Sequence, residues 1–169
     1  MNDSISDLKR HRCCFTGHRP EKLGISEARA KALLKSAIQQ AISEGYVTFL
    51  SGMARGIDLW AAEIVIEERE NNNNNNNNNI HIVCASPFSG FEKIWSEHEQ
   101  ALYRSIIEQA DFVKFVSQHY HSACFQARNE WMVDRVSRVI AAYNGTKGGT
   151  KNTIEYANRK EIFVENILD

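Results

Sequence analysis

The chain has 169 residues, 43% hydrophobic and 24% charged, a composition that builds a core rather than staying disordered. Twenty basic residues face 21 acidic ones, giving a formal net charge of -1. That balance argues against a general polyanion binder, so nucleic acid is not an expected partner.

Reading forward, the first apolar run is Arg12 to Thr16, ending at Gly17. Ser26 then reads as the N-cap of a helix whose Ala30, Leu33, Leu34, Ala37, Ile38, Ala41 and Ile42 share one face, with Gly45 at its end. A second run, Tyr46 to Leu50, closes in Ser51-Gly52, and a helix follows from about Ile57 to Arg69. Nine asparagines, Asn71 to Asn79, come next; they read as a solvated loop or as a placeholder for unidentified residues. The third run is Ile80 to Ala85, closed by Pro87, and a long helical segment carries Ile94, Trp95, Leu102, Ile106 and Ile107. The fourth, Phe112 to Val116, precedes a helix from about Ser122 to Ser137. A fifth run, Val139 to Tyr143, leads into a Gly-rich turn, one more helix and a last run, Ile162 to Val164. Strands alternating with helices at this spacing predict one α/β domain over residues 1–169. It is a three-layer, Rossmann-like, doubly wound and mostly parallel sheet with helices on both faces.

No apolar run has membrane-spanning length, and Met1 to Leu8 lacks the apolar stretch of a signal peptide. The expectation is a cytoplasmic protein with no membrane partner. Cys13, Cys14, Cys84 and Cys124 form no C-x-x-C pair and read as buried thiols.

In an open parallel sheet, ligands bind beyond the carboxyl ends of the strands. Three unusual clusters fall there: Thr16-Gly17-His18-Arg19-Pro20, Ser51 to Asp58, and Gly145 to Thr153. Glycines let backbone amides approach an anion, helix starts add partial positive charge, and hydroxyls and cations complete a phosphate site. None of the three matches G-x-G-x-x-G or the P-loop, so no dinucleotide cofactor and no NTP hydrolysis is expected. Arg19 is a candidate phosphate clamp, and His18 either an acid–base group or a structural imidazole. Arg55 faces ligand or solvent, and Asp58 caps its helix or binds a ribose hydroxyl. Arg128 could hold a sugar-phosphate, and Glu130 is the local candidate base; together they are the catalytic candidates. Trp60, Phe88 and Trp95 offer a stacking wall or belong to the core. His119-x-His121-x-x-Cys124 lacks a fourth ligand, so no metal is expected.

Ser51-Gly52-x-Ala54-Arg55-Gly56-Ile57-Asp58 resembles the S-G-x-A-x-G-I-D motif of the DNA-processing protein family DprA/Smf. Gly149-Thr150-x-x-Thr153-x-x-x-Ala157 is similar to its second glycine-rich motif, and Arg128-x-x-x-Met132 to a stretch of the LOG phosphoribohydrolases. The set as a whole most closely resembles the YpsA-like branch of the SLOG superfamily: Phe15 to Pro20, Ser51 to Asp58, Pro87-Phe88 with Trp95, and Gly148-Gly149-Thr150 with Thr153 and Tyr156. The resemblance implies a Rossmann-like fold binding a nucleotide-like ligand. The candidate ligand-binding residues are Gly17, His18 and Arg19, then Ser51, Gly52, Arg55, Gly56 and Asp58, then Arg128, and finally Gly148, Gly149, Thr150 and Thr153. LOG enzymes place a glutamate three residues beyond their motif threonine. That position here is Tyr156 or Thr153, with Glu155 one residue off and no proline before the glycines. The expectation is therefore a sensing module that reports a bound nucleotide to a protein partner, with enzymatic activity left open. The alternatives are an N-glycosidic hydrolase and a DprA-like single-stranded DNA binder.

Overall fold

The computed structural model describes residues 3–73 and 79–169. Strands β1 (Arg12–Gly17), β2 (Thr48–Ser51), β3 (His81–Ser86), β4 (Phe112–Phe115), β5 (Arg138–Ala142) and β6 (Phe163–Asn166) form one sheet in the order β4-β3-β2-β1-β5-β6. Every neighbouring pair is parallel. The helices are α1 (Asp3–Arg10), α2 (Pro20–Leu23), α3 (Glu27–Ser43), α4 (Ile57–Asn73), α5 (Glu97–Gln109), α6 (Cys124–Val133) and α7 (Gly149–Arg159). From β1 the chain winds outward to β4 through α3, α4 and α5, then returns to the other side of β1 for β5 and β6. This is the Rossmann-like arrangement, and the reversal between β1 and β5 opens a crevice at the carboxyl edge of the sheet.

The period of two along β1 divides the core. Cys13 and Phe15 pack into one cluster with Leu34, Ile38, Val65 and Ile106 of α3, α4 and α5. Cys14 faces a second, smaller cluster with Leu50, Met132, Val139 and Ala157, which brings α6 and α7 onto the opposite face. Each fully buried Leu, Ile or Phe contributes on the order of 1.5–3 kcal/mol, so these clusters hold the strand ends where the turns need them.

Local signals explain most of the helix ends. Ser26 Oγ accepts from Arg29 N at 3.2 Å and opens α3. The segment expected as one long helix around Ile94 is broken in two. Gly90 turns into the left-handed region (φ 86), Phe91–Ile94 forms a single 3-10 turn, and Trp95 is extended. Ser96 and Glu99 then form a capping box that starts α5 afresh. Ile94, expected within that helix, lies in the 3-10 turn and is 92% exposed. Helix α4 continues to Asn73 and so takes in the first three asparagines of the run expected as a loop; Asn74 to Asn78 lie outside the described residues. Helix α6 is shorter than expected at both ends. Among the described residues no helix is long and apolar enough to cross a membrane.

Candidate functional site

The turns after β1 and β2 are pressed together by glycines. A Cβ on Gly17 would lie 2.4 Å from Ile57 Cγ1, and one on Gly56 (φ +84) would lie 2.8 Å from Pro20 Cδ. These two positions are small because side chains of the neighbouring turn fill the space. In the β2 turn, Ser51 Oγ donates to Asp58 O at 2.8 Å and accepts from Met53 N at 3.2 Å. Asp58 Oδ2 accepts from Ala54 N at 3.3 Å, closing the turn at the start of α4.

Arg128 reaches across from α6. Its Nη1 donates to the carbonyl of Gly52, and its Nε donates to Asn129 Oδ1 at 2.7 Å. A Cβ on Gly52 would come within 2.8 Å of Asp58 Oδ2 and 2.9 Å of Arg128 Nη1, so the missing side chain lets these two buried charges stand on either side of the turn. Burial pushes the Asp58 carboxyl up to about 6 against the opposing pull of Arg128. Burial likewise lowers Arg128, with Asp58 opposing it. Between the unfolded carboxyl's ordinary value of 3.8 and about 6, the folded state holds more protons than the unfolded one, so this group makes stability fall as pH rises across that window. A 13C titration of the Asp58 carboxyl is expected to show a midpoint near 6, moving higher in Arg128→Leu; a midpoint near 4 would contradict the effect of burial, and one unmoved by Arg128→Leu the coupling.

These turns, the β5–α7 turn and the loops after β3 and β4 enclose a cleft of about 780 Å³. Its charged lining is mostly cationic: Arg19, Lys22, Arg55, Arg128 and Lys147, with Glu21 and Asp58 as its carboxylates. Arg55 is engaged by Glu21 at 2.6 Å and Glu99 at 3.4 Å. Gly148 and Gly149 start α7 without a side-chain cap, and a Cβ on either would meet nothing within 4 Å. The amides of that first turn therefore face open space. Thr150 is 6% exposed, and its hydroxyl has no protein partner among the described residues. Aromatic rings also line the cleft: Phe88 meets Phe91, Tyr120 and Phe125 edge-on at centroid distances of 5.9, 5.8 and 6.3 Å, Trp95 adjoins Phe91 at 4.8 Å, and the Arg128 guanidinium lies 6.0 Å from the Phe125 ring.

Of the residues singled out from the sequence, Gly17, His18, Arg19, Arg55, Asp58, Arg128, Gly148, Gly149 and Thr150 line this cleft. Ser51, Gly52, Gly56 and Thr153 do not. The first three organise the β2 turn, and Thr153 Oγ1 donates to Gly149 O at 2.8 Å within α7. Glu130 also lies outside the lining and accepts from Gln126 Nε2 at 3.1 Å on its own helix. Trp60 sits in the larger core cluster, while Phe88 and Trp95 line the cleft. His18 is 5% exposed, its ring rests on Tyr143 at 5.5 Å, and its Nε2 is buried without a partner. Burial and Lys22 lower its pKa, which favours the neutral ring. Sequence reading passed over Lys22, Tyr120 and Phe125; Phe125 stands three residues before Arg128, one helical turn away on α6, and that spacing was its available signal. Among the described residues no group of three or more His, Cys, Asp or Glu side chains could hold a metal ion. His121 Nε2 instead lies 3.0 Å from Ser117 Oγ, and Cys124 is buried.

Residues 13–166 match the family model described as the YspA SLOG family. The UPF0398 protein BH1768 of Halalkalibacterium halodurans is 28% identical over 156 residues, covering 87% of this chain and 80% of its own. The SPbeta prophage-derived protein YoqJ of Bacillus subtilis, described as uncharacterised, is 26% identical over 147 residues, covering 78% and 81%. Among solved structures, DNA processing protein A of Streptococcus pneumoniae superposes with a TM-score of 0.63 at 18% identity, over 93% of this chain and 50% of that one. Its counterpart from Helicobacter pylori, described for its single-stranded DNA binding mode, gives 0.64 at 16% identity over 95% and 66%. The chain thus spans half to two thirds of these structures, and at such identities the likeness is one of fold.

Proposed function

The chain belongs to the YspA SLOG family, and from that premise we propose that it binds a nucleotide-like ligand in the carboxyl-edge cleft and reports it to a protein partner without consuming it. The observation that carries the reading is that cations, an uncapped helix start and a cluster of aromatic rings line one cleft. Uncapped amides at Gly148–Gly149, the unpartnered Thr150 hydroxyl and the side chains of Arg19, Lys22 and Lys147 suit a phosphate. Phe88, Tyr120 and Phe125 suit the face of a base. Arg128 lines the cleft as well and braces the β2 turn through the Gly52 carbonyl.

The engagement of the carboxylates supports binding without turnover. Glycosidic cleavage needs a carboxylate poised at the sugar. Glu21 is held by Arg55, Asp58 by the Ala54 amide, and Glu155 by Lys151 at 3.6 Å. Isothermal calorimetry of the purified chain against nucleoside mono- and diphosphates is expected to give saturable binding at one site per chain. Absence of heat for every member of the panel would overturn the reading.

A further inference from the structure

The charge of the cleft lining exceeds what a single phosphate would neutralise. Five cations and two carboxylates line it, in a chain whose formal net charge is -1. Arg55 spends its charge on Glu21 and Glu99, and Arg128 stands opposite Asp58. Arg19, Lys22 and Lys147 are left, and none of them makes a salt bridge among the described residues. They are also brought close to one another. The segment from Arg19 into α2, which carries Lys22, is tied to the β5–α7 turn by Asn144 Nδ2 donating to Lys22 O at 2.5 Å, and by His18 N donating to Ala142 O at 3.3 Å. Three like charges held on adjoining turns repel one another unless an anion of matching charge lies between them.

Two further polar residues line the same cleft. Thr150, nine-tenths buried at the start of α7, has a hydroxyl without a protein partner, and the buried His18 Nε2 has none either. The Thr150 hydroxyl is thus left for a ligand in the cleft to complete, while the His18 ring holds a buried nitrogen of a kind ordinarily satisfied.

Resting on the nucleotide reading above, we infer that the ligand is of the nucleoside diphosphate class, its pyrophosphate bridging the α7 start and the Arg19–Lys22 turn. A phosphate monoester carries about -1.5 to -2 charges at neutral pH, and a diphosphate about one more, which matches the three unpaired cations. The α7 amides and Thr150 hold one phosphoryl group, with Lys147 beside it. Arg19 and Lys22 hold the other, and the nucleoside lies against the aromatic rings.

Calorimetry at low salt with AMP, ADP, GMP, GDP and inorganic pyrophosphate tests this. The diphosphates are expected to bind at least about tenfold more tightly than the matching monophosphates. Arg19→Ala and Lys147→Ala, both at exposed positions whose folding circular dichroism can verify, are expected to lower diphosphate affinity about tenfold and to narrow the gap to the monophosphate. The gap should also shrink as salt is raised. Equal affinity for mono- and diphosphates overturns the pyrophosphate assignment and leaves the nucleotide reading standing. Inorganic pyrophosphate binding as tightly as ADP and GDP, or no nucleotide binding at all, overturns the nucleotide reading itself. An oligothymidylate that binds more tightly than any diphosphate overturns both in favour of a DNA-binding cleft.

Discussion

Gly149→Val is expected to remain folded and to lose nucleotide affinity by roughly a hundredfold or more, the scale set by losing two or more charge-assisted hydrogen bonds. Gly149 is the first residue of α7, its backbone is not in the left-handed region, and a Cβ added there meets no protein atom within 4 Å. The isopropyl group therefore enters the cleft and not the core, and it covers the amides of the first helical turn that an anion would use. Gly17→Ala is the matched control. There the added methyl lies 2.4 Å from Ile57 Cγ1, and overpacking of this kind costs about 1–3 kcal/mol. Thermal melts should show a lowered midpoint for Gly17→Ala and an almost unchanged one for Gly149→Val. Native affinity in a folded Gly149→Val would remove the phosphate from the α7 start.

The contrast between those glycines also shows what the sequence could and could not reveal. Strand–helix alternation is a local, periodic property, so the parallel sheet and the clustering of glycine-rich turns at its carboxyl edge were readable from the chain alone. The purpose of each glycine was not. Gly17, Gly52 and Gly56 are small because Ile57, the Asp58–Arg128 pair and Pro20 press against them, whereas Gly148 and Gly149 open onto the cleft. Which of these holds depends on the distance between turns far apart in sequence. The break at Ile94 was readable in principle, since Ser96-x-x-Glu99 is a capping box, but the apolar spacing of Ile94, Trp95 and Leu102 obscured it. Glu130 was placed near the ligand by its nearness to Arg128 in sequence; two residues along a helix is a rotation of about 200°, and its side chain bonds Gln126 instead.

The same rotation sets up the sharpest division between a sensor and a hydrolase. Arg128→Ala removes the bonds to the Gly52 carbonyl and Asn129, and it leaves the buried Asp58 carboxylate without its cation. Leaving those buried polar groups unsatisfied costs on the order of 1–3 kcal/mol, so both stability and ligand affinity should drop. Arg128→Lys keeps the charge and loses the planar fork; it serves as the folded variant in which binding alone can be read. Glu130→Gln can still accept from Gln126, and a change at a site outside the cleft is expected to stay within about 0.5 kcal/mol and to leave affinity unaltered. Removing a group that performs acid–base catalysis lowers a rate at least about a hundredfold. Nucleoside monophosphates incubated at length with the native chain are expected to be recovered intact by chromatography, with Glu130→Gln indistinguishable from the native protein. Free base released by the native chain and not by Glu130→Gln would make the protein an N-glycosidic hydrolase, and would require Glu130 to leave Gln126 and turn into the cleft beside Arg128.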